Sequence, residues 1–193
     1  EVSILSDDFP TQINKYTQKK SQASAMEHAI RYHIKVNLEN KDPGLYNRFK
    51  DRLDGIIKKY QGNWDQMLVE LEELKKDVSE GRKQDQRFKN IQMPFYDCLK
   101  LFIVSELSQE LDEKLVLITK EICTEIAENM SIAYFWTKKD EVGELRGKII
   151  EKLRLGTLRA EFKDKAEEIA DKLMLLAKYN YNEVLRHKDE MAG

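Results

Sequence analysis

Apolar residues recur at three- and four-residue spacings along most of the chain, which is the pattern of amphipathic helices. The clearest stretch runs from Ile118 to Arg154, where an isoleucine-rich face leads into the aromatic cluster Tyr134-Phe135-Trp136 and then into a second amphipathic segment. We expect two helices joined at this aromatic corner, with Thr137 capping the second one. Asn129 lies within the apolar stripe, so we predict a polar core residue that needs a hydrogen-bond partner.

A second strong pattern lies earlier in the chain. Asp42-Pro43 is a typical helix start, Gln61-Gly62 a typical stop, and Asn63 a typical cap for the following helix. These signals predict an antiparallel helical hairpin at 43–78. No segment alternates in the manner of a strand. We therefore predict an all-α fold, a single helical domain of six to eight helices that form an irregular bundle around one core.

The domain prediction covers residues 1–193. Within it, 1–24 is predicted to be an N-terminal lead-in with a polar break at Ser21–Ser24, and 80–92 an internal linker or mobile loop because it has little apolar pattern. Residues 180–193 are predicted to fray. Since the chain starts at Glu1 with interior-like sequence, we expect a C-terminal fragment of a larger multidomain protein.

Composition narrows the class of protein. Of 193 residues, 35% are charged and only 8 are Gly and 3 Pro, as in helical proteins. The net charge of −2 argues against a generally basic nucleic-acid binder. The longest apolar runs are far shorter than the ~20 residues of a membrane span. Cys98 and Cys123 are predicted to be buried, reduced thiols, consistent with a cytoplasmic protein.

No motif for catalysis or cofactor binding is found. The sequence from Gly143 to Lys148 resembles a phosphate-binding loop, but the glycine spacing is too short, no strand precedes it, and Ile149 stands where Ser or Thr is required. We interpret it as a helix whose small residues allow a neighbour to pack closely. We predict no catalytic residue, metal, cofactor or small-molecule ligand in this chain.

Charge is distributed in blocks. Residues 15–63 carry a net +6 and residues 138–163 a net +3, whereas 64–80 carry −4 and 106–128 carry −5. The basic blocks could contact nucleic acid or an acidic partner. Alternatively, they are solvated helix faces that pair with the acidic blocks. No basic cluster interleaved with aromatic residues favours nucleic acid.

Two stretches together resemble a known family. They are Ala25 to Trp64, with Met-Glu-His-Ala-Ile-Arg followed by Asp-Pro and Asn-Trp, and Ile118 to Arg154. Both are similar to the C-terminal helical domain of the R (restriction, motor) subunit of type I restriction–modification enzymes. The resemblance covers most of the chain. Phe135 departs from the family pattern, in which an acidic residue precedes Trp136.

The resemblance implies a parent chain that is a type I site-specific deoxyribonuclease and an ATP-dependent DNA translocase using ATP and Mg. This helical part would be non-catalytic. It would dock the motor onto the methyltransferase and specificity subunits. Alternatives are a module that contacts double-stranded DNA in the same enzyme, or an unrelated helical interaction scaffold. The candidate contacts to a partner or DNA are Arg31, Lys35, Trp136, Lys139, Arg146 and Lys148.

Overall fold

The structure, a computed structural model, describes residues 3–193 and confirms the all-α prediction, with no strand among those residues. Residues 3–193 form eleven α-helices, more than the six to eight predicted, because the tail predicted to fray contains two short helices and the four-residue helix Arg159–Phe162 is separate from the helix that follows it. Two 3-10 helices occupy Phe135–Thr137 and Lys163–Lys165. The α-helices are α1 (Phe9–Asn14), α2 (Lys19–Leu38), α3 (Pro43–Lys59), α4 (Trp64–Glu80), α5 (Met93–Lys100), α6 (Gln109–Met130), α7 (Lys139–Leu155), α8 (Arg159–Phe162), α9 (Ala166–Tyr179), α10 (Tyr181–Arg186) and α11 (Lys188–Ala192).

The helices form two compact units, which meet along the chain at Lys83 and Gln84. Each unit buries its own cluster of apolar side chains, so two cores replace the one that the sequence predicts. The boundary falls inside the predicted linker at 80–92, where Phe88 is the only large apolar residue between Gly81 and Asn90. That residues 1–193 form a single domain stays a prediction.

Unit 1 is built on the predicted hairpin of α3 and α4, with α2 packed against both helices. The Asp42 side chain accepts a hydrogen bond from the Leu45 N–H at 3.2 Å, and Asn63 caps α4 in the same way through Gln66. Gly62 has a φ of 85°, a backbone conformation that glycine adopts without strain. The turn between the helices is therefore encoded locally, as the sequence predicts.

The N-terminal part of unit 1 is more ordered than the predicted lead-in. Helix α2 begins at Lys19, so Ser21–Ser24 is helical instead of a break. Ala23 is buried there, and its packing outweighs the weak helix preference of the serines. Ile4 and Phe9 are buried as well.

Unit 2 is centred on α6, a helix of 22 residues capped by Ser108. Helices α5, α7 and α11 pack against it, and α9 packs against α5 and α7. Gly156 ends α7, where a Cβ would clash with the Lys152 carbonyl oxygen. Thr119 is fully buried and donates from Oγ1 to the Leu115 carbonyl at 2.7 Å.

The C-terminal tail packs instead of fraying. Val184 and Met191 are fully buried in the core of unit 2. The Met191 carbonyl accepts a hydrogen bond from Gln92 Nε2 at 3.2 Å, and Gln92 is itself fully buried within the predicted linker. Apolar burial and this polar contact offset the chain entropy that makes termini fray.

Candidate partner-docking site

The aromatic corner between α6 and α7 is formed by a tight turn. Tyr134 has a φ of 58°, the only positive value at a non-glycine residue among the described positions. Its carbonyl accepts hydrogen bonds from the Thr137 N–H at 2.9 Å and from Thr137 Oγ1 at 2.8 Å. Thr137 therefore belongs to the 3-10 turn, and it does not cap α7 as predicted. Helix α7 begins at Lys139 without a side-chain cap.

Two neighbouring aromatic residues fix this corner to the core of unit 2. Phe135 is fully buried, and the half-buried Trp136 ring meets it edge-on with centroids 5.1 Å apart. The Lys178 ammonium lies 5.9 Å from the centroid of the Trp136 ring. The Trp136 indole N–H is buried and finds no hydrogen-bond partner among the described residues. The packing of both rings anchors the corner to the core, and a contact of Trp136 with a partner stays a prediction.

Tyr134 projects outward from this fixed base, with 79% of its surface exposed. A left-handed conformation costs a bulky residue roughly 1–2 kcal/mol. Burial of the ring offsets only part of this strain, because most of the ring stays in water. Strained, exposed residues of this kind concentrate at binding sites. Tyr134 is therefore the most informative functional candidate of unit 2, and the sequence prediction did not select it.

The three basic residues of α7 that were predicted to contact a partner or DNA do not form one basic patch. Arg146 binds Asp171 on α9, with Nε–Oδ1 at 2.6 Å and Nη2–Oδ2 at 3.3 Å. Lys148 pairs with Glu144 at 3.0 Å. Lys139 is exposed and forms no ion pair within residues 3–193. Nine residues place Lys148 on the opposite side of the helix from Lys139.

These ion pairs shift the pKa values of their members. The hydrogen bond between Arg146 and Asp171 raises the pKa of the guanidinium and lowers that of the carboxyl. The hydrogen bond to Glu144 raises the pKa of Lys148. Both bases are already engaged by acids of the same chain, so they have less charge to offer a partner.

The remaining predicted bases, Arg31 and Lys35, belong to unit 1. Arg31 is held by Asp54 at 2.8 Å and by Glu27 at 3.0 Å. Lys35 is exposed and unpaired within the described chain. The contact with double-stranded DNA stays a prediction.

The blocks of opposite charge in unit 1 pair across its helices. Lys19 of the basic block lies 3.7 Å from Asp65 of the acidic block, and Arg52 forms an ion pair with Asp77. These pairs support the interpretation of the blocks as solvated, mutually compensating helix faces. Isolated exposed pairs of this kind add little stability, typically ~0–1 kcal/mol each.

Asn129 is half-buried, and its Nδ2 donates to the Glu125 carbonyl of its own helix at 2.7 Å, which supplies the hydrogen-bond partner that a polar residue in this stripe needs.

The prediction that small residues on α7 let a neighbour pack closely is wrong. Gly143 and Gly147 do not accommodate a close neighbour, because a Cβ added at either would meet nothing within 4 Å beyond the helix itself. Both glycines are exposed on α7.

A polar network in unit 2 has no counterpart in the sequence prediction. Arg87, within the predicted linker, bonds Asp85 at 2.8 Å and Asp112 at 2.5 Å. The Tyr96 hydroxyl also donates to Asp112, and burial together with this contact raises the pKa of Tyr96 to about 12. The only sequence signal was the density of charge in a segment without apolar pattern.

The described residues contain neither a helix with the length and apolar character needed to cross a membrane nor a group of His, Cys, Asp and Glu placed to hold a metal ion. Cys98 and Cys123 are free and buried, as predicted. Burial raises the pKa of the Cys98 thiol to about 11, which keeps it protonated at neutral pH.

Comparison with known proteins identifies the family. Residues 1–181 match the family described as "Type I restriction enzyme HindI endonuclease subunit-like, C-terminal". A putative type I restriction enzyme MjaIXP endonuclease subunit of Methanocaldococcus jannaschii is 30% identical over 191 residues. The match covers 94% of this chain and 17% of the relative, so the chain spans a small part of that protein's length. No solved structure matches. The chain belongs to the family of C-terminal regions of type I restriction enzyme endonuclease subunits, which confirms the resemblance inferred from its sequence.

Proposed function

We propose that this chain is a non-catalytic docking domain of a type I restriction endonuclease subunit. It would attach the DNA-translocating, DNA-cleaving part of that subunit to the complex of methyltransferase and specificity subunits. The observation that carries the proposal is the Tyr134 corner, where an exposed aromatic ring in a strained backbone conformation lies at a turn anchored by the buried Phe135 and the half-buried Trp136.

The physical argument rests on how interfaces are built. Tyrosine is enriched among residues that dominate binding energy, because its large ring is rigid and carries a polar hydroxyl. Phe135 and Trp136 hold the corner against the core, so little conformational entropy is lost when the Tyr134 backbone is fixed in a complex. Lys139 lies five residues further along and is exposed and unpaired within the described chain, so it can add a charge contact at the rim.

The proposal assigns the chemistry to other parts of the parent subunit. ATP, Mg²⁺ and the nuclease residues would lie outside these 193 residues. Recognition of the DNA sequence would belong to the specificity subunit. The complex would act in the cytoplasm, where it meets DNA.

The proposal is tested by measuring the affinity of the chain for the purified methyltransferase–specificity complex, by sedimentation velocity or biolayer interferometry. Tyr134→Ala should weaken binding by about 30-fold or more, the loss of about 2 kcal/mol or more that defines an interface hot spot. Lys139→Glu should weaken it less and mainly by slowing association.

Matched controls lie elsewhere on the surface. Tyr32→Ala removes a half-exposed ring from unit 1, and Lys163→Glu reverses an exposed charge in unit 2. Neither should change the affinity. Equal affinities for Tyr134→Ala and Tyr32→Ala would reject the corner as the docking site. Failure of the unsubstituted chain to bind at tens of micromolar would reject the docking function itself.

A further inference from the structure

Unit 1 contains a groove that joins an indole ring to basic side chains from separate helices. The groove lies among α2, α3 and α4 and has a volume of about 480 Å³, within the size range of ligand sites. Its basic lining residues are Lys20, Arg31 and Lys58, and its aromatic residue is Trp64. The chain order hides this arrangement, because these residues are spread over 45 positions of the sequence.

The geometry divides the groove into an aromatic part and a charged part. The Lys20 ammonium lies 5.8 Å from the centroid of the Trp64 ring, while the apolar side chains of Ile57 and Met67 also line the groove. Lys58 is exposed and forms no ion pair within the described residues. The groove thus offers a flat ring, apolar surface and two ammonium groups.

Arg31 has a different role from the two lysines. It is bound by Asp54 and Glu27, which also line the groove, and the hydrogen bond to Asp54 is the main cause of its raised pKa. This cluster of one base and two acids has a net charge of −1. Lys20 and Lys58 change the total to +1, so the groove attracts a small number of phosphates and does not form a broad basic surface.

A flat aromatic ring beside a few cations matches the chemistry of an unpaired nucleotide. A base can stack on an indole whatever its identity, and flanking lysines neutralise the adjacent phosphates. A duplex suits the groove poorly, because its base faces are covered by stacking and its continuous phosphates would meet Glu27 and Asp54. An acidic peptide would use the lysines but has no base to stack on the ring.

We propose that this groove binds single-stranded nucleic acid, with one base stacked on Trp64 and the neighbouring phosphates at Lys20 and Lys58. The base would displace the Lys20 ammonium from the ring face and leave it free for a phosphate. The proposal uses different residues and a different unit from the docking corner, so either can fail without the other.

The test is a titration of the whole chain with an oligothymidylate of about ten nucleotides, labelled for fluorescence anisotropy. Binding should quench Trp64 emission, and the quenching should persist in Trp136→Phe and disappear in Trp64→Phe. Two phosphate contacts predict a slope of about −1.4 for log affinity against log salt. A duplex of the same length and polyglutamate should both bind more weakly.

Variants separate stacking from simple charge attraction. Trp64→Ala should weaken binding by about 5- to 150-fold, the range for loss of one stacked base. Lys20→Ala and Lys58→Ala should each reduce the salt slope by about 0.7. Lys15→Ala, an exposed lysine of unit 1 that lines a different groove, is the matched control and should have no effect.

Three results would each overturn the proposal. One is no binding at low salt, and another is wild-type affinity in Trp64→Ala with its helicity intact. The third is duplex or polyglutamate binding as tight as that of the single strand. Because Lys58 is exposed, Lys58→Ala tests the phosphate contact even if substitution of the half-buried Trp64 disturbs folding.

Discussion

The strain at Tyr134 can be measured by comparing two substitutions that remove the same ring. With 79% of the residue exposed, about one fifth of a tyrosine surface is buried, or roughly 40 Å². At about 25 cal/mol per Å², either substitution loses about 1 kcal/mol of burial. Alanine keeps the left-handed strain, whereas asparagine tolerates that conformation. Tyr134→Asn should therefore be more stable than Tyr134→Ala by about 1 kcal/mol, and close to the unsubstituted chain.

The assay is urea denaturation followed by far-UV circular dichroism, with thermal unfolding as a second measurement. A difference of 1 kcal/mol in a unit of this size corresponds to about 4 °C in Tm. Equal stabilities of the two variants would refute the reasoning, because they would show that no left-handed strain is stored at this position.

The same pair of variants separates the roles of ring and backbone in docking. If the ring makes the contact, both substitutions weaken binding to the methyltransferase–specificity complex equally. If binding depends instead on the strained backbone, the two variants differ in affinity as they differ in stability. A control at Tyr32 shows whether loss of any exposed tyrosine has an effect.

Three other outcomes follow from the contacts in unit 2. A double-mutant cycle of Arg146→Ala and Asp171→Ala should give a coupling free energy of about 0.5–1 kcal/mol near neutral pH. Because Asp171 has a lowered pKa, this coupling should be present above about pH 4 and disappear as the pH falls further; constant coupling in acid would contradict it. Stability should fall between about pH 10 and about pH 12, because the folded state raises the pKa of Tyr96 to about 12. Tyr96→Phe should abolish this fall, and an unchanged alkaline profile would exclude the role. Met191→Ala should cost about 2–5 kcal/mol in urea denaturation, whereas a frayed tail would lose almost nothing.

The features that the sequence predicted correctly are those set by neighbouring residues. Asp42-Pro43 and Asn63 begin their helices through contacts within three residues. The hairpin at 43–78 follows from these caps and from the turn at Gly62. Helical periodicity identified the all-α class for the same reason, because each helix carries its own apolar face.

The features that the sequence-based prediction missed depend on contacts between segments that are distant in the chain. Ala23, Val184 and Met191 are buried by helices remote in the chain, which turns a predicted break and a predicted frayed tail into packed structure. The division into two cores was likewise hidden, because periodicity shows which face of a helix is buried but not which helices share a core.

Charge patterns misled the site prediction in a similar way. Arg146 looked available, but its acid partner Asp171 lies 25 residues further along the chain. Arg31 is paired with Asp54 from another helix. Conversely, the approach of Lys20 to Trp64 across two helices could not be seen from the sequence. A count of charges per segment records net charge and carries no information on pairing.

The Tyr134 corner and helix α7 each carry local costs. Gly143 and Gly147 each disfavour the helix by about 0.5–1 kcal/mol relative to alanine, and open space surrounds the position of a Cβ at both. Strain at Tyr134 adds roughly 1–2 kcal/mol. Together these costs reach about 3 kcal/mol, a sizeable part of the 5–15 kcal/mol that stabilises a typical domain. Contacts within the described chain offset only part of these costs, because about one fifth of Tyr134 is buried and nothing packs where a Cβ would stand at the two glycines. Residues that serve a partner instead of the fold have this property. The balance of these costs favours the corner over the paired basic residues Arg146 and Lys148 as the centre of the proposed docking surface.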